Sequence, residues 1–441
     1  MRIFVIGAGL VGATVVEALH VDHELTVVDL HPEQLKPLAQ RYDVATVQAS
    51  ASSRRQLVDT GIADADLVIA CTYRDEANLV AGTFARAVAP KATTIIRTSS
   101  AEYAEIWREG HLDVDFVVSS ELETARAVSA AIGMPSARHT DTFADGQVQI
   151  VELDVGASGS AGVVNRPLRS ARLPGRSRVA GIIRNGRAIL PKGDAVVEPG
   201  DRLVVIGSPT AAQEWCELVS PRRGDVRDVV VFGAQELGTA IARALIEQGI
   251  AVRIVEPDAA RAALVAERLP EARVFNTAGL DAAFLKREGI ARVQAAIFAM
   301  RDDARNLFAA TLARLHGVPY TIALAHDPVS ADAYEHGGID VTVDPRRVTA
   351  EQIVRFAHDP RTRQMAMLEG DRFVILDITT RPESEYVGLS LREMPIRGAL
   401  IGAIVRNGEA VFPRSDDVLQ AGDRVIVFTE ASRAPEVERV L

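Results

Sequence analysis

Cysteine is nearly absent from this 441-residue chain: Cys71 and Cys216 stand far apart, so no disulfide framework or Cys-rich metal site is available and a reducing compartment is expected. Positive charge is in deficit as well. With 49 Lys and Arg against 59 Asp and Glu, the formal charge of −10 would repel a phosphate backbone on average, which argues against a general nucleic-acid binder. No apolar run approaches the roughly eighteen residues of a membrane span, and no signal segment precedes the apolar run beginning at Arg2. Direct membrane insertion is therefore not expected. His20, His23 and His31 fall near the first helix and second strand, while His316, His326, His336 and His358 lack tight metal-ligand spacing. There is no G-x-S-x-G elbow and no P-loop lysine.

What is present begins at once. Arg2-Ile-Phe-Val-Ile6 runs into Gly7-Ala8-Gly9-Leu10-Val11-Gly12, and a second apolar run, Leu25-Thr-Val-Val28, ends at Asp29. That order predicts strand, tight turn, helix, strand and acid. Gly7 permits the turn, Gly9 lets backbone approach a pyrophosphate, and Gly12 lets helix pack on strand, with phosphate on the free helix N–H groups. Val11, Val15, Ala18 and Leu19 form the expected apolar stripe of the helix. Asp29 has the spacing of a ribose-hydroxyl acceptor and would repel a ribose 2′-phosphate.

Further short apolar runs at Ala45–Gln48, Leu67–Cys71, Thr93–Ile96 and Phe116–Val118 alternate with helical patterns, predicting a doubly wound parallel sheet. A connector helix carries Leu122, Ala125, Val128 and Ile132 and ends at Gly133-Met-Pro135. From about Gln147 the pattern turns to strands and tight turns, with Asn185-Gly186 as a hairpin signal and Pro199-Gly-Asp201 before Leu203-Val-Val-Ile206. The plan then recurs. Gly233 to Gly238 repeats Gly7 to Gly12 at an offset of 226 (233 minus 7), Glu256 stands for Asp29, and Arg406-Asn-Gly408 repeats Arg184-Asn-Gly186 at 222 (406 minus 184).

The expected fold class is α/β, two tandem copies of a Rossmann-like doubly wound parallel sheet, each followed by a small β-rich subdomain. The divisions fall at 1–135, 140–220, 226–360 and 366–441, with a junction near 221–224. A third recurrence, Asp75-Glu-Ala-Asn-Leu79 against Asp303-Ala-Arg-Asn-Leu307, opens a helix at the sheet's ligand edge. Thr72 or Asp75 is read as its cap, and Thr72 and Asn78 as alternative nucleotide contacts. Arg97 ends the fifth strand, either as a phosphate contact or as a solvated cation. The connector helices at 121–132 and about 350–358, the latter with Ile353 and Phe356, offer apolar faces either for pairing or for packing inside one domain. The copies differ where Gln235 replaces the middle glycine and where no arginine matches Arg97 around Ala323–His326, so the first copy is expected to be the better ligand site.

Gly7 to Gly12, Asp29, Thr72-Tyr-Arg-Asp-Glu-Ala-Asn-Leu79, Arg97, Ser119-Ser-Glu121 and the β unit, taken in tandem, resemble the regulatory subunits of Trk potassium uptake, a family built from RCK domains. The resemblance covers the whole chain. It implies a cytoplasmic homo-oligomer, a tetrameric ring, at the inner face of the cell membrane, docked to a potassium transporter of the TrkH or TrkG type. It also implies gating by NAD(H), ATP or ADP rather than turnover. Gly7, Gly9, Gly12, Asp29, Thr72 and Arg97 would line the first site and Glu256 would be the remnant of the second. A soluble NAD-dependent oxidoreductase, or an RCK-type regulator of another cation channel or antiporter, are the competing readings.

Overall fold

The computed structural model describes residues 1–21, 23–134, 137–156, 162–185, 187–219, 226–279, 282–355, 362–368, 372–394 and 398–441. Pro135, Gly186, the junction at 221–224, Phe356 and His358 lie outside the described residues.

In the first copy β1 (Arg2–Ile6), β2 (Glu24–Asp29), β3 (Ala45–Gln48), β4 (Leu67–Ala70), β5 (Thr93–Thr98) and β6 (Phe116–Ser119) form one sheet in the order β3-β2-β1-β4-β5-β6. All its pairings are parallel, so both faces must be covered, and Ile3, Val5, Val27, Ile69 and Ile95 are fully buried. The strand order reverses beside β1, which opens a crevice at the C-terminal ends of β1 and β4. The first helix, Leu10–Leu19, buries Val11, Val15, Val16 and Leu19. Val16, rather than the expected Ala18, completes its stripe, because the covered face is centred one residue away; Ala18 is exposed.

The β unit that follows comprises β7 (Ala137–Phe143), β8 (Val148–Asp154), β9 (Ser177–Arg184), β10 (Arg187–Ile189) and β11 (Arg202–Gly207), antiparallel in the order β10-β9-β11-β8-β7. β7 is absent from the sequence reading, since Ala-Arg-His-Thr-Asp-Thr-Phe carries no apolar run and owes its strand state to pairing with β8. In the second copy β12 (Asp228–Phe232), β13 (Ala251–Glu256), β14 (Arg273–Asn276), β15 (Ala295–Phe298), β16 (Thr321–Leu324) and β17 (Val341–Val343) repeat the parallel sheet as β14-β13-β12-β15-β16-β17. Then β18 (Thr362–Leu368), β19 (Phe373–Thr379), β20 (Ala399–Arg406), β21 (Glu409–Val411) and β22 (Arg424–Glu430) repeat the antiparallel one. Asn407 and Gly408, both at positive φ, close the β20–β21 hairpin as the repeat predicts.

Contacts gather like with like. One compact unit joins residues 1–129 with 226–357 and the other joins 130–225 with 358–441. Within the first, the helix Pro345–Arg355 of the second copy packs on the helix Leu10–Leu19 of the first, and Thr349 Oγ1 donates to Ser120 Oγ at 3.0 Å. The second connector helix thus pairs within the chain. Within the β unit pair, each copy supplies a glycine that receives a large side chain of the other. A Cβ on Gly181 would lie 2.9 Å from the Phe428 ring, and one on Gly402 would lie 2.4 Å from Ile206. Ile150, Val204, Ile375 and Ile426 share that core. The two repeated turn motifs prove to be partners: Arg184 reaches both oxygens of buried Asp201 at 2.7 and 2.8 Å, as Arg406 does Asp423 at 2.8 and 2.7 Å.

Candidate nucleotide site

The glycines divide into two that the fold requires and one that it does not. Gly7 holds φ at +113°, with Thr72 N only 2.7 Å from where a Cβ would stand. At Gly12 a Cβ would fall 1.8 Å from the Gly7 carbonyl oxygen, so no side chain fits between turn and helix. Gly9 is different. Its φ of −70° is open to any residue, and nothing lies within 4 Å of a Cβ built there. The loop therefore leaves open space over the N-terminus of the first helix, where the backbone N–H groups have no helical acceptor. Leu10 stands 53% exposed beside it, Ala8 and Val11 are buried beneath, and Cys71 lies under the turn with its thiol pushed up to about 12 by burial.

The acid is fixed by the loop it faces. Asp29 Oδ2 accepts from Ala8 N at 2.7 Å and Oδ1 from His31 N at 2.8 Å, while the carboxylate remains half-buried. Each oxygen keeps acceptor capacity for a hydroxyl.

Thr72 and Asn78 form a clamp across the crevice floor. Asn78 is fully buried; its Oδ1 accepts from Thr72 N at 2.8 Å, and its Nδ2 donates to the carbonyls of Thr72 at 3.0 Å and Arg97 at 2.9 Å. Asn306 repeats this on Met300 N, Met300 O and Leu324 O at 3.0, 2.8 and 3.1 Å. Asn78 thus spans the C-terminal ends of β4 and β5 and is committed to backbone. Nor does Thr72 or Asp75 cap the helix Asp75–Val88, whose N-cap is Arg74 without a side-chain bond. Asp75 instead accepts from Ser99 N at 2.8 Å and Ser100 N at 3.3 Å, and Thr72 Oγ1 donates to Asn78 Oδ1 at 2.7 Å.

Arg97 is not a solvated cation. Half-buried, it donates from Nε to Ser120 Oγ at 3.0 Å and from Nη1 to Thr72 O at 3.2 Å, and it makes no ion pair among the described residues. Burial lowers its pKa, with Asp75 opposing and Arg346 adding to the effect. A held guanidinium without a carboxylate is suited to an anionic ligand.

The second copy keeps the scaffold. Gly233 has φ +96°, a Cβ on Gly238 would fall 1.9 Å from the Gly233 carbonyl, and Glu256 Oε2 accepts from Ala234 N at 2.8 Å. Gln235 sits at φ −72° and ψ −173°, against −70° and −171° at Gly9, so backbone is unchanged and only a side chain is added. Its Oε1 is buried without a hydrogen-bond partner among the described residues. Glu256 is 2% exposed, and its Oε1 also accepts from Asp258 N at 2.9 Å and Arg261 Nη1 at 3.0 Å. Leu324 occupies the place of Arg97. No group of three or more potential metal ligands occurs among the described residues.

The TrkA-N domain model matches residues 3–120 and 229–345, and the TrkA-C domain model residues 150–220 and 375–441. The chain is 28% identical over 443 residues to the Trk system potassium uptake protein TrkA homolog of Archaeoglobus fulgidus, covering 100% of both chains. It is 28% identical over 451 residues to the Trk system potassium uptake protein TrkA of Haemophilus influenzae, covering 100% of this chain and 98% of that one. Among solved structures it is similar in fold to the GsuK channel, with a TM-score of 0.63 at 18% identity over 100% of this chain and 78% of the other. The NAD-bound form of that channel matches over the same shares, at 18% identity and a TM-score of 0.61. With two TrkA-N and two TrkA-C domains in alternation, the chain belongs to the TrkA family of tandem RCK-domain proteins.

Proposed function

We propose that this chain is a nucleotide-sensing regulatory subunit that binds NAD(H), or ADP or ATP at the same site, and gates a membrane potassium-uptake protein. The observation that carries the reading is the contrast at one loop position. Gly9 leaves open space at the helix N-terminus, in the loop whose Ala8 N–H donates to half-buried Asp29, whereas the same backbone position in the second copy carries the Gln235 side chain. Gly7, Ala8, Gly9, Leu10, Val11 and Gly12 would seat the pyrophosphate, Asp29 the ribose hydroxyls and Arg97 a phosphate oxygen, with Thr72 holding the floor. Glu256 has its acceptors engaged by Ala234, Asp258 and Arg261, which supports one occupied site per chain.

The names of the relatives support the potassium-uptake partner, and the fold shared with a channel bound to NAD supports the ligand class. No helix among the described residues is long and apolar enough to cross a membrane, so the pore is assigned to another chain. A ligand preferring one arrangement of an oligomeric ring would shift its population by its differential affinity, and the partner would respond to that shift. The tetrameric ring, the cytoplasmic position at the membrane's inner face and the divisions at 1–135, 140–220, 226–360 and 366–441 belong to the same proposal.

Titration of the wild-type chain and Asp29→Ala with NADH, NAD, ADP and ATP tests it. The expected result is saturable binding weakened in the variant, with no NADH consumption on incubation with small carbonyl compounds. Steady turnover would replace this reading by an oxidoreductase.

A further inference from the structure

The helix Pro345–Arg355 belongs to the second nucleotide fold yet packs on the helix that opens the first fold's glycine loop, and it also touches β5 and β6. Thr349 on that helix donates to Ser120 Oγ at 3.0 Å, and the same oxygen accepts from Arg97 Nε at 3.0 Å. Arg346 lies three residues before Thr349, hence on the same helix face, one turn nearer the N-terminus. It is half-buried, and its side chain has no carboxylate or carbonyl partner among the described residues; only its backbone N–H is engaged, by Asp344 Oδ1 at 2.8 Å. Its charge is close enough to that of Arg97 to disfavour the latter's protonated form. Two guanidinium groups thus lie within electrostatic range of each other at one crevice edge, where the Asp75 carboxylate also acts on Arg97.

The counterpart of Arg346 in the first copy has the opposite sign. Thr124 bonds to Ser120 O as Thr349 bonds to Pro345 O, an offset of 225 (349 minus 124), which aligns Arg346 with Glu121. Glu121 accepts from Ala101 N at 3.1 Å and lies within electrostatic range of Glu236, the first residue of the second copy's glycine-loop helix. Each fold therefore sets one charged side chain within electrostatic range of the other's crevice residues, the Arg346 cation near Arg97 and the Glu121 acid near Glu236.

We propose that Arg346 is a phosphate ligand of the first site, supplied by the second nucleotide fold, so that a bound nucleotide ties the two folds together while Glu121 disfavours anions at the second. This rests on the nucleotide reading above. A charge-assisted hydrogen bond to phosphate at such a site is worth about tenfold or more in affinity.

The test is calorimetric titration of the full chain with ADP, paired with thermal unfolding of the ligand-free protein, for wild type, Arg346→Ala, Arg346→Lys and Gly9→Asp. Arg346→Ala should weaken ADP binding about tenfold or more, Arg346→Lys should recover part of it, and neither should lower the ligand-free midpoint, because a like-charge neighbour of Arg97 has been removed or kept. Unchanged ADP affinity in Arg346→Ala, with binding abolished in Gly9→Asp, would overturn this inference alone. A lowered ligand-free midpoint with no recovery by lysine would make Arg346 a structural residue and overturn it too. A wild-type chain that binds no ADP, ATP or NAD(H) would remove the nucleotide reading and this inference with it.

Discussion

The two nucleotide folds keep the same residues where the backbone demands them and differ where a ligand would sit. Gly7 and Gly233 both hold positive φ, Gly12 and Gly238 both admit a carbonyl where a Cβ would collide, and Asn78 and Asn306 clamp the same strand ends. Gly9 against Gln235 leaves the backbone dihedrals unchanged, and Arg97 against Leu324 keeps the carbonyl that Asn78 and Asn306 bind. A sequence can shed its ligand and keep its fold, because turn strain and buried amides are costly to violate whether or not a nucleotide is present. On the proposed function, the divergent positions mark binding and the retained ones mark folding.

The largest expected break is Gly9→Asp. A carboxylate in the phosphate's place should abolish binding at the first site, a loss of about a hundredfold or more in calorimetry, while φ −70° lets the variant fold. Next is Arg97→Leu, which gives the first copy the residue of the second; loss of a charged hydrogen bond predicts about tenfold to hundredfold weaker binding of phosphate-bearing ligands. Asn78→Ala and Asn306→Ala sharpen the comparison from the other side. Each leaves buried backbone groups unpaired and should cost about 2–3 kcal/mol in urea denaturation, but only the first should also weaken nucleotide binding. The smallest effect is expected from Gln235→Gly. It removes the added side chain without supplying an arginine or freeing Glu256, so the number of nucleotides bound per chain in equilibrium dialysis should not rise.

The doubly wound sheets and the hairpins were legible because short apolar runs, glycine turns and Asn-Gly pairs report local conformation. The repeat was legible because both copies preserve them. The polar strand β7 was not, since its pairing is settled by β8 rather than by its own residues. Asn78 was open to a ligand role until its three backbone partners were seen, and one of these lies nineteen residues away. Arg97 could be assigned a strand end from the sequence, but its anchoring by Ser120 and Thr72 required the tertiary fold. Least legible was the gathering of like parts. The apolar face at about 350–358 suggests pairing but not that the partner is a helix more than three hundred residues earlier, and Arg346 becomes meaningful only through that contact.

In the proposed function the first fold binds nucleotide and the second does not. Equilibrium dialysis of radiolabelled ADP and NAD against the wild-type chain and Gly9→Asp measures it most directly. One ligand per chain in the wild type and none in the variant is the predicted result; two per chain in the wild type, with one surviving Gly9→Asp, would contradict it.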